Sequence, residues 1–304
     1  MGRFFIKLFI FLALCYSSIH WISSRADGNT DNFYLKFTTP PKVSLILGTS
    51  RASQAIMPSI LNSILKNEDM YNFAFTGDNS PYGKAYLTCI KRKLKSNSKN
   101  GLFILSVDPW SISCNAEEML NPNSFKENNL ILSTPLVNLQ PNIFYLFKFC
   151  DHKYSLLRTK SNSKSSMFLH DDGWLEVNIS MKENEIKKRT DAKIARYKTF
   201  YKETYFSKIR FDYLVETIKY LQLKGKVYLV RLPISKEMKQ IELALQPNFD
   251  AKMDSVSRKY NIKYINFIND NHEYNYTDGN HLHKSSGAEI SKKIALIIKE
   301  NSIN

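Results

Sequence analysis

The sequence predicts an α/β domain with a central parallel sheet, set behind a membrane-spanning helix at the N-terminus. Three observations predict it. Short, almost wholly apolar runs recur along the chain, and each ends in small or polar residues, as Val43-Ser44-Leu45-Ile46-Leu47 does at Gly48-Thr49-Ser50. Stretches of helical period separate those runs. The first 22 residues, MGRFFIKLFIFLALCYSSIHWI, are apolar with Arg3 and Lys7 near the front.

The leader comes first. Its apolar run from Leu8 to Tyr16 is extended by Ser17 to Ile22 to roughly the span of a bilayer, with Trp21 at the far edge. Basic residues in front place the N-terminus in the cytoplasm and the rest outside it. Residues 1–22 are therefore read as a membrane anchor or uncleaved signal. A cleaved signal, a lipoprotein signal around Leu12-Ala13-Leu14-Cys15 and a buried N-terminal helix stay open beside it. Residues 23–41, with Ala26-Asp27-Gly28-Asn29 and Pro40-Pro41, are expected to form a linker, and residues 42–304 the domain.

Within the domain, the run ending at Leu47 is a strand that puts Ser50 at its carboxyl end, and Pro58 suits the first turn of a following helix. Tyr71 to Phe75 is a second strand, closing on Thr76-Gly77-Asp78-Asn79-Ser80. Gly83 to Leu94 is helical, and Leu102 to Val107 is a third strand ending in Asp108-Pro109-Trp110. Residues of about 111–188, with Asn121-Pro122-Asn123, Gln140-Pro141-Asn142 and the low-complexity run 160–166, form an inserted cap. Ile186 to Leu221 follows helical spacing, in two helices, before strand Val227 to Val230, helix Asp250 to Tyr260 and strand Lys263 to Ile268. Ser286 and Glu289 form a capping-box pattern, and Ile290, Ile294, Ile297 and Ile298 give the last helix one buried face.

Composition narrows the function classes. The chain has 43 basic and 28 acidic residues and a net charge of +15, which suits nucleic acid, an anionic surface or an acidic polymer. Its basic residues are scattered, and no zinc-finger spacing, RNA-binding motif or basic zipper accompanies them, so nucleic acid is not expected as a partner. The four cysteines, Cys15, Cys89, Cys114 and Cys150, include no CxxC pair. No metal and no cofactor are expected.

Chemistry is expected where the two ends of the domain meet. A serine hydroxyl is a weak nucleophile that needs a base to accept its proton and an acidic group to orient that base. Ser50 at a strand tip supplies the first. Asp278-Gly279-Asn280-His281 supplies the others three positions apart, with Gly279 allowing a sharp turn. Serine, aspartate, histidine is one of several chain orders that reach this geometry.

These blocks carry a resemblance. VSLILGTSRAS (43–53) resembles the first block of the SGNH (GDSL-like) hydrolase superfamily, where a strand runs into glycine-x-serine. DGNH (278–281), continuing as LHKSSGAEI, is similar to its last block. The likeness is nearest to the bacterial envelope branch that includes proteins related to teichoic acid D-alanine transfer and alginate O-acetylation, and it brackets essentially the whole domain. It implies a flavodoxin-like three-layer sandwich, with Ser50 as nucleophile, His281 as base and Asp278 as orienter. The oxyanion would be held by the Ser50 amide and Gly77, with Asn79 as a further candidate. After the third strand the family's asparagine donor has no counterpart, because Asp108 stands there; such a donor contributes about 3 kcal/mol to a transition state. Asn72 is a second candidate substitute for it.

The function implied is an exported serine esterase or O-acyltransferase acting on an acylated envelope glycan. It would be anchored in the inner membrane with its catalytic domain periplasmic, and a membrane acyltransferase is a candidate partner. The rival is a non-catalytic binding or assembly protein of the same fold. Arg51, Asp108, Trp110 and His283 are candidate substrate-binding residues, Arg51 for an anionic group or else a surface salt bridge. Trp174 and Tyr82 are candidates to stack on sugar or to pack in the core.

Overall fold

The computed structural model describes residues 1–66, 69–76, 82–128, 140–150 and 165–301. In chain order its elements are α1 (Gly2–Ser23), β1 (Ser44–Leu47), α2 (Ser50–Ala55), α3 (Pro58–Leu65), β2 (Met70–Asn72), α4 (Lys84–Lys93) and β3 (Gly101–Ser106). Then come β4 (Ser113–Asn115), α5 (Ala116–Leu120), α6 (Ile143–Phe149), β5 (Met167–Leu169), β6 (Leu175–Val177), α7 (Glu183–Tyr201) and β7 (Thr204–Phe206). The chain continues through α8 (Lys208–Gln222), β8 (Gly225–Arg231), α9 (Lys236–Leu245), α10 (Phe249–Tyr260), β9 (Lys263–Asn266) and α11 (Lys284–Glu300).

The apolar runs become a five-stranded parallel sheet of order β2-β1-β3-β8-β9. A strand's side chains alternate between faces, so a strand covered on both sides must be apolar at nearly every position. Leu45, Leu47, Phe103, Leu105, Val227 and Leu229 join one core with residues of α4, α8 and α10. Ile46, Leu102, Ile104, Tyr228 and Val230 join the other with residues of α2, α3 and α11. The result is three layers, helices on either face of a sheet. Each aliphatic side chain so buried contributes roughly 1.5–3 kcal/mol.

Counted in chain order these five strands run 2-1-3-4-5, a doubly wound order in which the connections turn opposite ways from β1 and from β3. The crevice at the carboxyl ends of β1 and β3 is the place such a sheet leaves open for a ligand. Ser50 follows β1 and Asp108 follows β3, so the topology brings both to that crevice.

α1 is long and apolar enough to cross a membrane, about 33 Å at 1.5 Å per residue, with a mean hydropathy of 1.7 over its most apolar stretch. Its side chains are exposed along most of its length, whereas the core helix of a soluble protein would bury them. The segment 23–41 is not the free linker expected from its sequence. Tyr34, Leu35, Lys36 and Phe37 are buried, Phe37 stacks on Tyr145 of α6 at 5.5 Å, and the Lys36 ammonium reaches the Asn72 and Ala74 carbonyls. Four adjacent buried residues, three of them large and apolar, outweigh the Gly, Asn and Pro content that suggested a loose connection.

The cap differs too. Its described parts are β4, α5, α6 and the β5–β6 hairpin, and α7 begins inside the expected range and runs beyond it. β7 splits the Ile186–Leu221 region by pairing antiparallel with β4. α9 was not anticipated, because its Met238, Ile241 and Glu242 bury only one narrow stripe. Most of the low-complexity run 160–166 lies outside the described residues. The last helix starts at Lys284 with His283 as its N-cap, and the Ser286–Glu289 box does not form. Ser286 is buried and its hydroxyl accepts from the Asn275 amide, while Glu289 meets His272 at 2.7 Å.

Candidate functional site

The serine loop is tight for a reason visible in its glycine. Gly48 has φ +137°, and a Cβ there would lie 2.7 Å from the Ser106 Cβ on β3. Only glycine lets β1 turn this close to β3. The Gly48 amide donates to the Tyr86 hydroxyl, which itself donates to the Phe73 carbonyl. Thr49 is the N-cap of α2, and Ser50 is its first residue, at the end of a helix where amides lack intrahelical acceptors.

The histidine loop is a closed pinch. Tyr276 and Leu282 form an antiparallel bridge, the Thr277 amide donates to the His281 carbonyl, and the His283 amide donates to the Asn275 carbonyl. Between them Gly279 adopts φ +74°, and Asp278 Oδ1 accepts from the Asn280 and His281 amides. This Asx-type turn folds the carboxylate back over its own loop. It brings both oxygens to His281 Nδ1, at 3.0 and 2.9 Å.

His281 Nε2 lies 2.8 Å from Ser50 Oγ. An ionised carboxylate only accepts, so Nδ1 carries the proton, Nε2 presents its lone pair, and the serine hydroxyl donates. Asn280 Nδ2 also approaches Nε2, at 3.3 Å, but the hydroxyl is nearer. Among the described residues, then, Ser50, His281 and Asp278 form one linear relay of hydrogen bonds. α11, the helix that follows the histidine loop, is tied to the end of α2: Ser291 Oγ accepts from the Met57 amide at 2.9 Å and lies 3.1 Å from the Ala55 carbonyl.

Charge reinforces the relay. Lys193, on α7, places its ammonium 3.0 Å from Asp278 Oδ2. Burial works to raise the Asp278 pKa, but the hydrogen bond and charge of His281 and the Lys193 ammonium outweigh it and hold the carboxyl well below its ordinary range. The same helix donates from Arg189 to the Thr277 carbonyl. α7 thus straps the histidine loop from outside, and Tyr197 packs edge-on to Trp110 at 4.8 Å. Lys193 lies some 85 residues from Asp278 on a polar helix, and no sequence signal marks it.

The remaining expected site residues divide. Arg51 is 5 % exposed and faces inward. Its guanidinium meets Glu242 at 2.6 Å, bonds Asn280 Oδ1 through Nε and Nη2, and lies 3.8 Å from Asp108. That internal partnership replaces the expected anion-binding role or surface salt bridge, because a buried guanidinium needs buried acceptors. Asp108 is also buried. Its Oδ1 accepts from the Ser111 amide, capping a short 3₁₀ turn (Pro109–Ile112), and its Oδ2 accepts from the Thr49 hydroxyl. It spans the crevice between β1 and β3 rather than opening onto a substrate.

Trp110 is half-buried beside Tyr197, and its Nε1 is buried with no acceptor among the described residues. His283 is half-buried and engaged with Ser285, and burial and the neighbouring Lys284 lower its pKa. Tyr82 is fully buried, its hydroxyl on the Ser106 carbonyl, and so is a core residue. Trp174 stacks on His170 at 4.6 Å and donates to the Gln54 carbonyl, which docks the hairpin on α2. Asn72 cannot serve an oxyanion: its amide group donates to the Ala52 and Ile56 carbonyls and its oxygen accepts from the Ala74 amide. Gly77 and Asn79 lie outside the described residues.

Among the described residues no group of three or more His, Cys, Asp or Glu side chains could hold a metal ion. Cys89, Cys114 and Cys150 are buried. Comparison with protein-family models gives no match, and comparison with curated proteins gives none either.

Proposed function

We propose that this chain is an exported serine esterase or O-acyltransferase of the SGNH type, acting on an acylated cell-envelope glycan or a similar polymer. One observation carries the reading: Ser50 Oγ stands 2.8 Å from His281 Nε2 while Asp278 holds Nδ1 from the other side. Nε2 takes the hydroxyl proton as Oγ attacks an acyl carbonyl, and Asp278 stabilises the imidazolium so formed. In this reading the Ser50 amide, at a helix start, serves as one oxyanion donor, and Gly77 and Asn79 are the others that the resemblance implies. The departing alcohol takes the proton back and leaves an acyl-serine. Water or a sugar hydroxyl, deprotonated by His281, then releases or accepts the acyl group.

α1 supports anchoring in a membrane; the inner membrane, the periplasmic side for the domain and a membrane acyltransferase partner that supplies acyl groups are what the resemblance adds to this reading. A reporter fused after residue 304 is expected to behave as extracytoplasmic; cytoplasmic behaviour overturns that placement.

A second reading, a non-catalytic binding or assembly protein, is favoured by one feature. Asp108, a carboxylate already committed to Ser111 and Thr49, stands where the resembling family has an oxyanion donor. Covalent labelling by a fluorophosphonate separates the two. Labelling of the wild-type chain that is lost in Ser50→Ala supports the enzyme, and no labelling of well-folded protein leaves the binding reading.

A further inference from the structure

We propose that α6 is a second membrane contact, an interfacial helix that seats the domain on the surface of the bilayer that α1 crosses. The inference rests on reading α1 as membrane-spanning and goes beyond it, since a single span leaves the domain free to tilt.

α6 is strongly two-sided. Asn142 caps it by accepting from the Tyr145 amide, and Tyr145 and Leu146 face inward, Tyr145 against Phe37 and Tyr34. Phe144 and Phe147, three positions apart and so on one face, are 54 % and 59 % exposed. Exposed apolar side chains scattered singly are ordinary on a soluble surface, and Leu223 is one here. What distinguishes the α6 pair is its place in the fold.

α6 lies against α1, and just before it the Gln140 side chain donates to the Ala26 carbonyl at 2.6 Å, three residues beyond the end of α1. Trp21, in the last turn of α1, is 65 % exposed, and the Arg25 guanidinium sits 5.6 Å from the centre of its ring. The Lys148 ammonium sits 5.4 Å from the Phe144 ring and 5.1 Å from the Phe149 ring. Three outward aromatic rings and two cations therefore gather at the level where α1 would leave the hydrocarbon. Amphipathic aromatic residues concentrate at that depth, and cations beside them meet lipid phosphates. The packing of α6 on buried Phe37 and Tyr34 makes this contact rigid with the domain.

Full-length protein in nanodiscs of phosphatidylcholine and phosphatidylglycerol tests the proposal, with Phe144→Trp, Phe147→Trp and, as reference, Leu223→Trp. All three positions are exposed, so unchanged thermal melts are expected and verify the fold. The added tryptophan at 144 and at 147 is expected to emit further to the blue. Lipids brominated near the headgroup are expected to quench it at least about twofold more than the tryptophan at 223. Equal bromolipid quenching at all three positions, in protein that resists alkaline extraction from membranes, overturns the α6 contact and leaves α1 in place. Release of the wild-type chain by alkaline extraction overturns the reading of α1 and the proposal together.

Discussion

Arg51, the residue after the site serine, grips Asn280, the residue before the site histidine, with Nε and Nη2 at 3.0 and 2.6 Å from Oδ1. The two residues flanking the Ser50–His281 contact are thus bonded to each other. Glu242 continues the chain of charge to Arg231, which also meets Asp250. The Ser50–His281 pair sits on a buried ionic clamp that joins the first and last loops of the domain.

Breaking that clamp is expected to act on both stability and geometry. Arg51→Met leaves the buried Glu242 with less compensation, and removing one member of such a pair costs about 3–5 kcal/mol. Asn280→Ala spares Glu242 and removes a charge-assisted hydrogen bond, worth about 1.5–3 kcal/mol. Thermal melts of the two variants are expected to fall in that order. Fluorophosphonate labelling of folded Asn280→Ala should be slower than wild type. An Arg51→Met protein as stable as wild type contradicts the clamp.

Acid stability should report on Asp278. Its folded pKa lies below the ordinary carboxylate value of about 3.9, so the unfolded chain binds the proton first. The group therefore contributes stability that is fully present at neutral pH and lost as pH falls from near that value toward the lower folded pKa. Lys193→Met removes one of the groups that depress the pKa. NMR of the Asp278 side-chain carboxyl in acid is expected to show it titrating at a higher pH in Lys193→Met than in wild type. Identical titration in the two proteins excludes the coupling.

Gly48→Ala is a test of the serine turn itself. The substitution forces φ +137° on an alanine and drives its Cβ to 2.7 Å from the Ser106 Cβ. Strain of this kind costs of order 1–3 kcal/mol. Denaturant unfolding should show the midpoint moving down, and a midpoint unchanged from wild type means the turn is looser than described.

Much was legible in the sequence because it is local. A run such as Ser44 to Leu47, apolar at nearly every position, has to be a strand covered on both faces, and the structure covers it with α4 and α8 on one side and α2 and α11 on the other. Asp278 and His281 are three residues apart around Gly279, so their meeting is a property of one turn. The apolar length of α1 is likewise written in consecutive residues. Strand and helix limits moved by one to three residues, most at the second strand, which ends at Asn72 rather than Phe75, since ends are settled by caps and neighbours.

Other features depend on which faces meet, and composition does not encode that. Arg51 and Asp108 read as surface or pocket charges until Glu242, Asn280, Ser111 and Thr49 arrive from distant segments to satisfy them. Residues 23–41 carry the composition of a linker, yet Tyr34, Leu35 and Phe37 find a core to enter. Lys193 gains its role when α7 crosses the histidine loop.

By itself the sequence determined the strands, the apolar helix, the serine at a strand tip and the aspartate–histidine turn, because each follows from the period and turn chemistry of neighbouring residues. The tertiary structure alone decided that the serine and histidine, 231 positions apart, come within 2.8 Å, and that a buried charge network holds them there. Long-range contact is selected by the burial of whole faces, here α11 against α2 and α3, and no short window of residues contains that choice.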